Sequence, residues 1–261
     1  MNKFLYSLKS EALKFLYSKT CRIVFVIVVI VQALLSYVSA EQTLSIGLTA
    51  TPETNPDLLE PMPPLEYMGF AEIIGTIPMI VLGGIFGAGE FKRHCLRTTM
   101  LSSGDKNIVF ISKTLVLTFF SFIISFISVF VSVFITHTVF GSQGLDPIKL
   151  TPFVWKLIAL ATCSITFLTL ISYLIGFLFH SAVVPLMFLI IQAYNFGNLL
   201  AEHFDICKFL PVSLVNGLIA TSRDMLTDKP FVNIISLTVW SGIIGICAYI
   251  RFRKSDLKGV Y

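Results

Sequence analysis

From Leu157 to Ala201 the chain carries no Asp, Glu, Lys or Arg, and from Thr114 to Phe140 it again carries none. These runs decide the fold class before any motif is read. A hydrocarbon core of about 30 Å takes roughly 20 apolar residues as one helix. A backbone inside it must satisfy its own hydrogen bonds, so each run crosses as a helix. The first run is too long for one crossing, and His180-Ser181 followed by Pro185 is its natural break. Of the 261 residues, 55% are hydrophobic and only 13% charged, against about 25% charged in a soluble domain. An all-α polytopic membrane protein is predicted.

Six spans are expected, at 23–40, 67–88, 114–137, 153–179, 182–201 and 231–250. Residues 1–19 come first. Phe4, Leu5, Leu8, Ala12, Phe15 and Leu16 form one helical stripe and Lys3, Ser7, Ser10, Glu11, Lys14 and Ser18 another. Such a helix lies in the interface, its apolar side in the bilayer and its lysines among anionic headgroups. Val38-Ser39-Ala40 resembles a signal-peptidase site, but the long amphipathic lead favours a retained span. Segment 41–66 holds five prolines and five acids with no Lys or Arg, and 202–230 is the second large external segment.

Charge orients the spans. With both ends in the cytoplasm, 14 of the 19 basic residues fall inside, as the positive-inside bias requires. Lys149, Lys156, Lys208, Arg223 and Lys229 remain outside. The plasma membrane is the expected location.

Segment 89–113 is the densest inside patch, with Glu90, Lys92, Arg93, His94, Arg97, Asp105, Lys106 and Lys113 between two apolar spans. It is expected to be water-exposed, tethered at both ends, and a docking platform for a soluble partner. A solvated loop that only sets topology is the plainer reading. Inside the spans, Gly83 and Gly87 form a small-xxx-small pair for close helix approach. Glu72 is costly at mid-bilayer and is expected to face a cleft or the interface. Gln192, Asn195 and Asn198 recur at a spacing of three and are expected to face helices or a cavity rather than lipid.

Catalytic chemistry is not expected. There is no P-loop, and the five cysteines form no Cys-x-x-Cys pair. Cys207 could bridge a second copy, with a free thiol the plainer reading. Glu202, His203 and Asp205 make a thin metal set, and Ser181 beside His180 has no orienting third group. No catalytic or metal residue is assigned, and nucleic acid is not an expected partner.

Glu-Ala-Leu-Lys at 11–14, Gly-Glu-Phe at 89–91, Arg-Thr-Thr-Met-Leu-Ser at 97–102 and Lys113 stand in a fixed order around spans 1 to 3. Together with the chain's length, span number and loop sizes, this order resembles the membrane subunit of a type-2 ABC transporter. It is most similar to bacterial permeases for antimicrobial peptides, in lantibiotic immunity or peptide export. The resemblance implies separate cytoplasmic ATPase subunits that hold ATP and Mg, with no cofactor in this chain. It also implies a second membrane subunit, the same or related, and alternating-access export of amphipathic peptides or other lipophilic compounds. Residues 1–19 would be the in-plane connecting helix. Glu90, Lys92, Arg93, Arg97 and Lys106 would belong to the coupling loop. Gln192, Asn195, Asn198 and Glu72 would line or flank the route. Two other classes stand beside this one: a non-transporting scaffold or sensor, and an ATP-independent carrier or channel. A loop that recruits a P-loop ATPase separates the first class from both.

Overall fold

The computed structural model describes residues 3–56, 58, 61–70, 76–91, 105–192, 205–219 and 230–254. Among them the fold is all helical, with no strand. The α-helices are α1 (Lys3–Tyr17), α2 (Lys19–Ile46), α3 (Thr76–Gly89), α4 (Lys106–Phe140), α5 (Pro152–Phe179), α6 (Val183–Ile191), α7 (Pro211–Asn216) and α8 (Pro230–Lys254), with short 3-10 turns between. Four of them, α2, α4, α5 and α8, are long and apolar enough to cross a membrane.

The other two expected spans are described in part, as Thr76–Gly89 with 14 residues and Val183–Ile191 with nine. A continuous helix over 67–88 is not observed, because Met68 is extended (φ −74°, ψ 142°) and Gly69 takes φ +91°. That φ suits glycine and breaks helical geometry. Residues 71–75 and 193–200, which belong to those two spans, lie outside the described residues.

Helix starts follow local chemistry. The Asp105 carboxylate accepts from the Asn107 backbone N–H at 2.8 Å and caps α4. Thr151 caps α5, and Pro152 supplies its fixed φ at the first helical position. That cap starts α4 at Lys106, well ahead of the uncharged stretch from Thr114.

Helix α5 is the centre. Buried residues fill 72% of its apolar window, against 17% for α8. It packs on α3, α4, α6 and α8, while α2 and α1 lean on α4. Its contact with α3 is backbone against backbone. A Cβ on Gly83 would overlap the Thr169 carbonyl oxygen, and one on Gly87 would overlap that of Tyr173. Ser172 Oγ donates to the Ile80 carbonyl at 2.5 Å across the same seam.

A polar knot ties α2 to α4. Gln32 Nε2 donates to Ser132 Oγ at 3.1 Å, the Ser36 and Ser132 hydroxyls lie 2.8 Å apart, and Ser132 Oγ donates to the Gly69 carbonyl at 2.7 Å. Beside it, a cavity of about 190 Å³ is bounded by Ser36, Thr43, Met62, Tyr67 and Thr136. It is smaller than the few hundred Å³ of an ordinary ligand pocket.

Helix α7 is docked rather than loose. Asn233 Nδ2 donates to the Leu214 carbonyl and Trp240 Nε1 to that of Phe209, and Val212, Leu214 and Val215 are buried.

Candidate functional site: a buried ion cluster at the basic end

The alternation of helices brings the end of α3, the start of α4, the end of α5, the end of α8 and helix α1 to one end of the bundle. Lys14, Lys106, Lys113 and Arg251 all lie at this end.

At its centre the Lys113 ammonium donates to Glu90 Oε1. Lys113 is 3% exposed and Glu90 6%, so neither charge is solvated. The pair brackets segment 92–104 in the sequence, Glu90 just before it and Lys113 after it. Lys113 Nζ also stands 4.4 Å from the Phe86 ring centroid, a favourable seat for a cation.

Helix α1 adds two more charges. Glu11 is 1% exposed and accepts from Lys14 Nζ at 2.5 Å. Its field, with that of Glu90, acts on Lys113. Its second oxygen is buried with no hydrogen bond among the described residues. Two acids and two bases thus form a charge-neutral cluster joining α1, α3 and α4. Neutrality is what makes such burial tolerable, since an uncompensated charge there costs several kcal/mol. Phe15 fixes α1 beside the cluster, with ring centroids 5.3 Å from Phe86 and 4.9 Å from Phe120.

Two expectations are corrected here. The ends of segment 89–113 are not water-exposed, because Glu90 and Lys113 face each other inside the bundle. Helix α1 does not divide into two simple stripes. Ser7, Glu11 and Phe15 turn inward onto the bundle, while Leu5, Tyr6, Leu13, Leu16 and Tyr17 stay exposed. Phe15 packs against Phe86 and Phe120 and brings this face of α1 onto the bundle, and Lys14 of the same helix supplies Glu11 with a counter-charge.

Other residues of the expected site are distributed as follows. Lys106 Nζ donates to the Arg253 carbonyl at 3.2 Å, and the Tyr249 hydroxyl donates to Asn107 Oδ1 at 2.8 Å, so the start of α4 holds the end of α8. Lys92, Arg93 and Arg97 lie outside the described residues, as do Glu72, Asn195 and Asn198. Gln192 is buried; its Nε2 donates to the Phe188 carbonyl at 2.9 Å, and its Oε1 has no hydrogen bond among the described residues. Gly83 and Gly87 belong to the α3–α5 seam. No cluster of metal-ligating residues occurs among the described residues.

His180 borders this end. It takes a left-handed backbone (φ 56°) at the C-terminus of α5, and its ring stacks on Phe91 with centroids 3.7 Å apart. Burial, and after it the Arg251 guanidinium, push the imidazole below its usual range. The fold therefore favours neutral His180. This contribution to stability is complete above the ordinary histidine pKa of about 6.5. It is lost as pH falls, because the unfolded chain takes up a proton the fold resists. The unfolding midpoint in detergent is expected to drop as pH falls below about 6.5. In His180→Asn, which tolerates the same backbone, that part of the slope disappears. An unchanged slope would remove His180 from the account.

Two features escaped the sequence reading. Gln32 and Ser36 share a helix face in span 1, but a count of charges does not register an amide. The packing of α1 against α4 beside the Glu90–Lys113 pair joins distant segments, and no local pattern marks it.

Comparison with family models, with curated proteins and with solved structures finds no match to this chain.

Proposed function

We propose that this chain is the membrane subunit of an ATP-driven exporter, whose ATPase docks on the coupling loop 89–113. The observation that carries the reading is the buried Glu90–Lys113 pair at the base of that loop. A loop held at both stems by an ion pair transmits a displacement, whereas one hung on flexible stems absorbs it. A push on the loop reaches α3 and α4 through the pair and α1 through Glu11. It continues to α5 through the glycine seam, where backbone contacts leave no slack. The residues behind the resemblance to type-2 ABC permeases support the same reading, since Glu11, Glu90 and Lys113 meet in one cluster.

In this reading the basic end is cytoplasmic, as the distribution of Lys and Arg favours. The membrane is the bacterial plasma membrane and the spans number six. ATP and Mg reside in the partner ATPase. A second membrane subunit completes the pathway; the 190 Å³ cavity described above is too small for a peptide cargo. The exported class is amphipathic or antimicrobial peptides or similar lipophilic compounds, with Gln192, Asn195, Asn198 and Glu72 along the route. ATP binding drives export only if the cargo binds the two states with different affinity.

Charge reversal in the loop tests the docking role. Arg93→Asp combined with Arg97→Asp is expected to weaken capture of the ATPase at least about tenfold and to abolish transport, since opposed charges across an interface are strongly unfavourable. The unfolding midpoint should stay where it was. Unchanged capture and transport would end the docking role.

A further inference from the structure

We infer that the corner between α1 and α2 binds an anionic phospholipid, with its phosphate between Lys19 and Arg22 and an acyl chain along Ile23, Val26 and Ile27. These five residues line an open groove of about 360 Å³. The inference rests on α2 being a membrane helix, and it does not need the ATPase reading.

Charge complementarity names the occupant. No acid lines the groove. Lys19 and Arg22 enter no ion pair among the described residues. Arg22 is also kept at the corner, where its guanidinium donates to the Tyr17 carbonyl at 3.4 Å. Two cations without a counter-charge in the groove attract a phosphate.

The apolar half of the groove excludes a soluble anion as its natural ligand. Ile23, Val26 and Ile27 are 58%, 50% and 43% exposed, on the uncharged part of α2 just past Arg22. That order, cations at the polar boundary and branched aliphatics below them, is the order of headgroup and chain in a phospholipid. Leu13, Leu16 and Tyr17 of α1 are exposed on the approach to the same corner, and they bring further apolar surface to the interface.

The test uses the full chain in an uncharged detergent, titrated with dioleoyl phosphatidylglycerol or dioleoyl phosphatidylcholine, with bound lipid read by native mass spectrometry. The first phosphatidylglycerol is expected to bind about twenty-five-fold more tightly than phosphatidylcholine, since each of the two basic residues near an anionic headgroup contributes roughly fivefold. Lys19→Gln with Arg22→Gln should erase the preference. Lys3→Gln with Lys9→Gln should keep it. Val26→Trp fills the groove without touching its charge and should weaken phosphatidylglycerol binding severalfold, and glycerol phosphate should not compete. A preference that survives K19Q/R22Q, vanishes equally in K3Q/K9Q or ignores V26W would show a diffuse field instead of a seated lipid, and would overturn the inference. Displacement by glycerol phosphate would overturn the lipid as occupant.

Discussion

Lys113→Met is expected to destabilise the protein by about 3–5 kcal/mol, the range for leaving a buried charge without its partner. The reason lies in what remains. Glu90 stays 6% exposed and Glu11 1% exposed, and only Lys14 is left to balance two carboxylates. Glu90→Leu should cost less, because Lys113 keeps the field of Glu11. The double variant Glu90→Leu with Lys113→Met should recover much of the loss, since apolar replacement of a whole buried pair is often close to neutral. Equilibrium unfolding in mixed micelles gives all three values and their coupling energy. A coupling near zero would mean that the two side chains do not meet. In the double variant, recovered stability with lost transport would separate the pair's role in transmission from its role in folding.

Gly87→Leu is expected to cost about 3 kcal/mol or more, at the upper end of overpacking effects. The neighbour is the Tyr173 carbonyl on α5, with the Phe177 backbone nitrogen 2.9 Å from a built Cβ. Backbone cannot rotate aside as a side chain can, so α3 and α5 must separate along the seam. Gly83→Leu meets the Thr169 carbonyl and should behave alike. Gly242→Ala in α8 is the control, since a Cβ there meets nothing within 4 Å. It should be neutral or stabilising by up to about 1 kcal/mol through helix propensity. If Gly87→Leu and Gly242→Ala have similar midpoints, the seam is not closely packed. Because the seam lies between the ion cluster and the buried helix α5, Gly87→Leu should also reduce transport more than its loss of folded protein explains.

The long uncharged runs were enough to predict an all-helical membrane protein, because hydrocarbon leaves the backbone few options. The glycine pair in α3 was equally legible, since it acts through local geometry. The limits of α3 were not. Leu65–Gly69 is apolar and uncharged apart from Glu66, so hydropathy extends the helix where Gly69 at φ +91° ends it. The inward turn of Glu11 was hidden for a different reason. An amphipathic pattern shows which residues differ, but the packing of Phe15 against Phe86 and Phe120 carries Glu11, one turn before it, inward with it. Glu90 and Lys113 looked like surface charges because both belong to the strongly charged segment 89–113, and the burial of each depends on the other, 23 residues away in the sequence.

Co-purification of the tagged chain from membranes in mild detergent tests the central claim most directly. The account predicts a P-loop ATPase in the eluate at roughly equal stoichiometry, released when Arg93 and Arg97 are reversed to Asp. Recovery of no ATPase, even after cross-linking through Cys95 in the loop, would contradict it.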